Sequence, residues 1–292
     1  MSIFKKQIEI IENSKITIIN PKNLENILNE PSEKKMLLLT IDDGFSSFYL
    51  NAWPYLKKKK IPFIIFISTE AVGKNGYMDW TQIKEIQDSN IGVVGNHSHT
   101  HGYLVDLNKN EIEKDINRSI KIFNRELGFN PIFFSYPFGE FSLDFIGIIK
   151  NKFKFAFGQH SGVIDLSKDK MQLPRFPINE KYGDLDRFRS IINLLPFYYK
   201  NIKPEEKYLT DKKNPPKVLV EFFPEQKNLE NISCYSNESN KWRKSKTFLK
   251  ENNKLEIFIN EKFTTERGRI NCSLNDKQGW RWFGIQFTIS KI

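Results

Sequence analysis

The 292-residue chain has four histidines, and three of them, His97, His99 and His101, fall within the five residues HSHTH. Imidazoles concentrated in this way suit a divalent ion, whose ligand atoms must come within about 2.0–2.2 Å of it. On a regular strand His97 and His101 share a face but lie about 13 Å apart, at about 3.3 Å per residue, so they share an ion only if the backbone curls into a helical turn. His97 and His99 can chelate from a regular strand, and spacing alone does not choose between the pairs. A second reactive group is Asp42-Asp43-Gly44. Neighbouring side chains at a strand end point in different directions, so one carboxylate can hold a metal while the other takes a proton from water. Gly44 permits a sharp turn and close approach of substrate. Each motif has a plain structural reading, as loop-bonding histidines or as an Asp-Asp-Gly turn. An Asp/His/His metal site with an open position and an adjacent base accounts for both together.

The elements that position these groups read as alternating strands and helices around a parallel sheet. Apolar, β-branched and aromatic runs predict strands at 36–41, 61–68, 91–95, 131–136, 153–158 and 173–178. Helical spacing covers 46–58, 80–88, 109–127 and 142–151. It is clearest where Ile112, Ile116, Ile120, Phe123 and Leu127 recur at three- and four-residue steps before Gly128. Polar residues follow the carboxyl ends of the first five strands: Asp42 and Asp43, Ser68 and Thr69, the HSHTH segment, residues 135–139, and Gln159 with His160. In a parallel α/β barrel that face carries the site. From Pro196 the chain turns polar up to Pro215 and Pro216 and reads as a linker, 196–216. Alternating runs at 218–223, 255–260, 269–274 and 282–289 then predict a small antiparallel β-sandwich over 217–292, after a barrel over 1–195.

TIDDG (40–44), HSHTH (97–101) and SYPFG (135–139), in this order and with flanking text such as MDW at 78–80, resemble the first three motifs of the polysaccharide deacetylase family. This is the NodB-homology or carbohydrate esterase family 4 group, and the resemblance covers about residues 1–195. It implies a distorted, seven-stranded (β/α) barrel using one divalent ion, commonly Zn²⁺, to remove N-acetyl groups from a glycan or glycoconjugate. It casts Asp42 as general base and Asp43, His97 and His101 as metal ligands, so the segment must curl and His99 stands aside. It casts the Phe138 N–H of the Pro137-Phe138-Gly139 turn as oxyanion donor. Two departures accompany the match. Ser135 stands where the family often has an Arg that orients the base, and Arg175 can bring a cation there from another strand. The late Leu-x-His motif is absent, which leaves His160, at a strand end, as candidate general acid. Both departures resemble the subgroup acting on poly-N-acetylglucosamine. Alternatives are an amidase for small cyclic or linear amides and a glycan-binding protein with weak turnover.

Composition narrows the partners. The chain carries 45 Lys and Arg against 35 Asp and Glu, a formal charge of +10, but the cations are spread out, and the run Lys57–Lys60 reads as the basic end of a helix. A nucleic-acid partner is not expected. The sequence has no apolar run near the ~18 residues of a membrane span and no leader pattern at MSIFKKQIEI. The expectation is a cytoplasmic protein by default, with a cell-envelope role open and oligomeric state undetermined. Cys234 and Cys272 have no metal or redox spacing, so free buried thiols are expected, or one bridge if the protein is exported. Trp80 either stacks on a sugar near the barrel mouth or packs in the core. Trp242, Trp280 and Trp282, with nearby arginines, suggest glycan or anionic-surface binding, but the Trp280 and Trp282 alternation reads preferentially as core.

Overall fold

Five short strands make the sheet that carries the reactive residues. Helix α1 (Ser2–Glu12), strand β1 (Thr17–Ile18), helix α2 (Leu24–Asn29) and strand β2 (Met36–Leu37) lead into it. Then follow β3 (Thr40–Ile41), α3 (Trp53–Lys59), β4 (Phe63–Ile67), α4 (Trp80–Asp88), β5 (Gly92–Asn96), α5 (Lys109–Leu127), β6 (Phe133–Ser135), α6 (Leu143–Lys150) and β7 (Phe155–Phe157). The computed structural model describes residues 1–290 apart from 31, 33 and 166. Strands β3 to β7 lie side by side in chain order, all parallel, as successive helical crossovers require. Every position of β4 and β5 is buried, because both faces of the sheet are covered. Phe63, Ile65 and Ile67 pack with Ile83 and Ile86 of α4 on one face, and Ile64 and Phe66 meet Phe133, Phe155 and Phe157 on the other.

The architecture is a distorted, curled (β/α) half-barrel with a separate C-terminal all-β domain. Among the described residues five strands, not seven, are bonded in the barrel sheet. Strand β2 pairs with β1 instead. The stretch expected as a strand at 173–178 contributes a single bridge, Leu173 to Phe157. Pro174 and Pro177 have no N–H to give to a ladder. Helices α4 and α5 have the predicted bounds. Asn108 and Glu111 form a capping box at the start of α5, and Gly128 closes it with φ 77°. The lysine run does end α3, with Lys60 as a left-handed cap.

After helix α7 (Leu185–Ile191), strands β8 (Tyr199–Lys203), β9 (Tyr208–Leu209), β10 (Val218–Phe222), β11 (Ser233–Ser236), β12 (Arg243–Lys250), β13 (Lys254–Phe258), β14 (Arg267–Asp276) and β15 (Gly279–Ile289) form one sheet in the order β8-β10-β13-β12-β11-β14-β15-β9. It curls over its own core, which includes Val218, Val220, Ile257, Ile270, Phe283 and Phe287. The expected sandwich is thus a single continuous sheet. Strands β8 and β9 come from the stretch expected as a linker, and they are its two edges. Polar edge strands such as YKNIK carry little apolar alternation to read.

The expectation of free thiols is overturned. Cys234 and Cys272 face each other in register on antiparallel β11 and β14 and form a disulfide. Among the described residues no helix is long and apolar enough to cross a membrane. The two domains meet through isolated bridges from Gly162 to Phe283 and from Leu195 to Arg281.

Candidate metal centre

Strands β3 and β5 both end in backbone that side chains rarely adopt. Asp43 has φ 75°, Ser98 φ 68° and His101 φ 54°. Non-glycine residues in this region cost about 1–3 kcal/mol each and persist only where the surroundings over-determine them. The HSHTH segment therefore curls, by two left-handed residues rather than by a helical turn. The Ser98 N–H donates to Asn96 Oδ1 at 2.8 Å and the His101 N–H to Ser98 Oγ at 3.0 Å. The buried Asp115 carboxylate of α5 accepts from the His99 N–H at 2.7 Å and from the Thr100 N–H and hydroxyl at 3.1 and 2.7 Å.

This curl selects His97 and His101. Asp43 Oδ1 lies 3.6 Å from His97 Nε2 and 3.3 Å from His101 Nε2, and the two nitrogens are 3.2 Å apart. Ligand atoms about 2.1 Å from one ion at tetrahedral angles are about 3.4 Å apart, so the three fit a single divalent ion. His97 Nδ1 sits 2.6 Å from the Ser135 carbonyl oxygen. A carbonyl only accepts, so Nδ1 carries the hydrogen and the Nε2 lone pair is turned toward Asp43. Burial pushes the Asp43 carboxyl up, but its contacts with His101 and His97 outweigh it and hold the group well below the usual carboxylate range. The His99 ring goes elsewhere, with Nδ1 2.9 Å from Thr69 Oγ1.

Asp42 stands outside that trio and is gripped by Arg175. The guanidinium donates from Nη1 to Oδ1 at 2.7 Å and from Nη2 to Oδ2 at 2.9 Å, a two-pronged pair. It also donates to Ser135 Oγ at 2.8 Å, to Thr40 Oγ1 at 3.2 Å and from Nε to the Gly158 carbonyl at 2.8 Å. Burial raises the Asp42 carboxyl, yet Arg175 and then His97 overcome it and keep the pKa below normal. Asp42 is thus an ionised acceptor beside the metal ligands at neutral pH.

The third motif forms a short 3₁₀ turn, Pro137–Gly139, with Phe138 left-handed at φ 58°. Gly139 has φ 70°, and a Cβ there would meet the backbone N of Gln159 at 2.4 Å, so only glycine fits. The Phe138 ring lies edge-on to the His101 ring at 4.8 Å and stacks on Tyr103 at 4.5 Å.

Residues 29–152 match the family model described as polysaccharide deacetylase, and this stretch contains all three motifs. Over these residues the barrel domain is similar to the polysaccharide deacetylases. A poly-beta-1,6-N-acetyl-D-glucosamine N-deacetylase of Staphylococcus aureus is 28% identical over 162 residues, which is 50% of this chain and 56% of that protein. A putative polysaccharide deacetylase of Bacillus subtilis, YxkH, is 26% identical over 48% of this chain and 50% of its own length. The chain thus spans little more than half of the curated relatives it matches. Among solved structures, IcaB from Ammonifex degensii is similar at TM-score 0.55 and 26% identity, over 62% of this chain and 84% of that one. The Streptococcus pyogenes deacetylase PplD, in complex with acetate, shares the fold at TM-score 0.60 and 20% identity, over 65% of this chain and 86% of that one.

The other residues singled out by the sequence lie outside the Asp43, His97 and His101 trio. His160 packs its ring against Phe141, and burial, with Lys207 and Arg175 nearby, lowers its pKa to about 4. Trp80 opens α4 and packs edge-on against Phe123 of α5, a core position. Trp280 is 54% exposed, which overturns its reading as core. Along β15 the inward positions belong to Arg281 and Phe283, so Trp280 and the half-buried Trp282 face outward. Trp282 Nε1 donates to Ser161 Oγ of the barrel domain at 2.8 Å.

Three functional neighbours escape a motif reading. Asp115 had a visible signal, a carboxylate set in the apolar stripe between Ile112 and Ile116. Arg267 and Gln286 had none, because they reach the Phe138 turn from another domain. Gln286 Nε2 lies 3.2 Å from both the Phe138 and Gly139 carbonyl oxygens, and the Arg267 guanidinium lies 5.2 Å from the Phe138 ring centre.

Proposed function

We propose that this protein is a metal-dependent hydrolase that removes acetyl groups from the N-acetylated sugars of a glycan, with Zn²⁺ as the native ion. The single observation that carries the reading is the pairing of two differently held carboxylates. Asp43 joins His97 and His101 around one ion-sized space, and Asp42 is kept ionised beside them by Arg175. An ion held by the trio supplies Lewis acidity toward an amide carbonyl. Asp42 accepts a proton from the attacking water. The Phe138 N–H stands at the family position for hydrogen-bonding the oxygen that becomes negative. The amine leaves only if it is protonated, and we assign that proton to Asp42, which took it up one step earlier. A half-buried imidazole whose pKa is lowered to about 4 carries little proton at neutral pH, so His160 is poorly suited to the task. The relatives named for poly-beta-1,6-N-acetyl-D-glucosamine support an N-acetylglucosamine polymer as substrate.

The test is acetate release from N-acetylglucosamine oligomers. Chelation should abolish it and Zn²⁺ should restore it. Asp42→Asn should bind the ion with parent stoichiometry yet lose about 10²-fold or more in kcat, the scale of a lost acid–base group. Release unaffected by chelation, or full activity in Asp42→Asn, would reject the reading.

We further propose that the protein works outside the reducing cytoplasm. The Cys234–Cys272 disulfide supports this, since such bonds persist in oxidising compartments. Alkylation of the protein taken directly from cells should find no reactive thiol; two labelled cysteines would return it to the cytoplasm.

A further inference from the structure

We infer that the all-β domain is a working part of the active site, in which Arg267 and Gln286 position the Pro137-Phe138-Gly139 turn and, through the Phe138 ring, His101. The inference deepens the deacetylase reading above and rests on it for its activity arm alone.

Both side chains lie on the outer face of the β14–β15 pair, where Arg269 is the partner of Gln286 and Arg267 of Thr288. An outer face of an antiparallel sheet is ordinarily wet. Here it is covered by the barrel domain, leaving Gln286 3% and Thr288 5% exposed. A buried amide is destabilising if its groups go unpaired. The Gln286 amide is satisfied by the turn. Its NH₂ donates to the Phe138 and Gly139 carbonyls, and its oxygen accepts from Arg269 Nε at 3.2 Å, which also settles which end of the amide faces the turn. Phe138 is left-handed, so the direction of the peptide that follows it is held by such outside contacts rather than by its own preference.

Arg267 acts on the same turn from its side-chain end. Its guanidinium lies over the Phe138 ring at 5.2 Å, and its Nε is 2.7 Å from Oε1 of Glu140, a buried carboxylate two residues along. The same Phe138 ring meets His101 at 4.8 Å. A chain of contacts therefore runs from the second domain through one aromatic ring to a metal ligand, and through two carbonyls to the turn whose Phe138 N–H is expected to bind the oxyanion. Misplacement by about 1 Å at such a site is worth on the order of 10²-fold in rate.

The test uses the full-length protein with Gln286→Met, which keeps length and removes the amide, and Arg267→Met. Gln286→Met should lower kcat for acetate release about 10- to 100-fold with KM and metal content within twofold of the parent. A kcat within twofold would overturn the positioning role. Arg267→Met should weaken Co²⁺ binding several-fold and shift the visible absorption of the Co²⁺-loaded protein, because the packing beside His101 changes. An unchanged isotherm and spectrum would overturn the link to His101. If Arg267→Met does not fold, Gln286→Met decides alone. Should the parent bind Co²⁺ but release no acetate, the substrate reading falls while the cobalt measurement still judges the positioning of His101.

Discussion

Asp42 and Asp43 are chemically identical neighbours that differ entirely in their partners. Asp43 faces two imidazole nitrogens, and Asp42 faces a guanidinium that arrives from 133 residues away. The same logic sorts the histidines. His97 has its tautomer set by the Ser135 carbonyl, His99 is tied to Thr69, and the half-buried His160 has its pKa lowered to about 4. This yields a residue-scale prediction. His160→Ala should leave kcat within about threefold of the parent at unchanged metal content. A fall of about 10²-fold, the scale of a lost general acid, would assign the leaving-group proton to His160 instead of Asp42.

At the scale of elements, the parallel strands aim the loops but do not shape them. The shape of HSHTH depends on α5, whose amphipathic face is interrupted by Asp115 and Ser119. Asp115 accepts three hydrogen bonds from the loop, and Ser119 Oγ accepts from Asn96 at 2.7 Å. Removing the carboxylate leaves two backbone N–H groups without an acceptor and lets the left-handed residues relax. Asp115→Ala should therefore lower stability by about 1–3 kcal/mol and metal affinity by about 10-fold or more. Urea melts and a competitive metal titration read the two effects. Normal affinity in the destabilised variant would mean that the ligands hold the loop without help from α5.

At the scale of the molecule, the two domains share a buried ion pair whose stability depends on pH. Burial pushes the Glu140 carboxyl up to about 7 from its ordinary 4.5, with Arg267 pulling the other way. The folded protein thus binds this proton more tightly than the unfolded chain. The contribution of Glu140 is most favourable below about pH 4.5, declines as pH rises to about 7, and is level above that. Glu140→Gln should match the parent at pH 4.5 and gain on it up to pH 7, by a few kcal/mol at most. Urea midpoints across that range measure the gain. A constant offset between the two curves would mean that Glu140 is ionised throughout.

What the sequence settled by itself is local. Periodicity placed α4 and α5, apolar runs placed the parallel strands, and the ends of those strands carried Asp42, Asp43, His97 and His101 in order, because one-dimensional spacing records which face of an element is buried. The polar edge strands β8 and β9 were illegible for the same reason: half-solvated backbone leaves no apolar rhythm. The family resemblance, not spacing, pointed to His97, His101 and Arg175; tertiary structure decided the geometry by which they meet Asp43 and Asp42, and it alone decided that Cys234 pairs with Cys272 and that Gln286 reaches the Phe138 turn. Each of these joins groups far apart in the chain, or depends on left-handed backbone stabilised from outside. Their geometry exists only after the core has closed and brought the loops of both domains to one place.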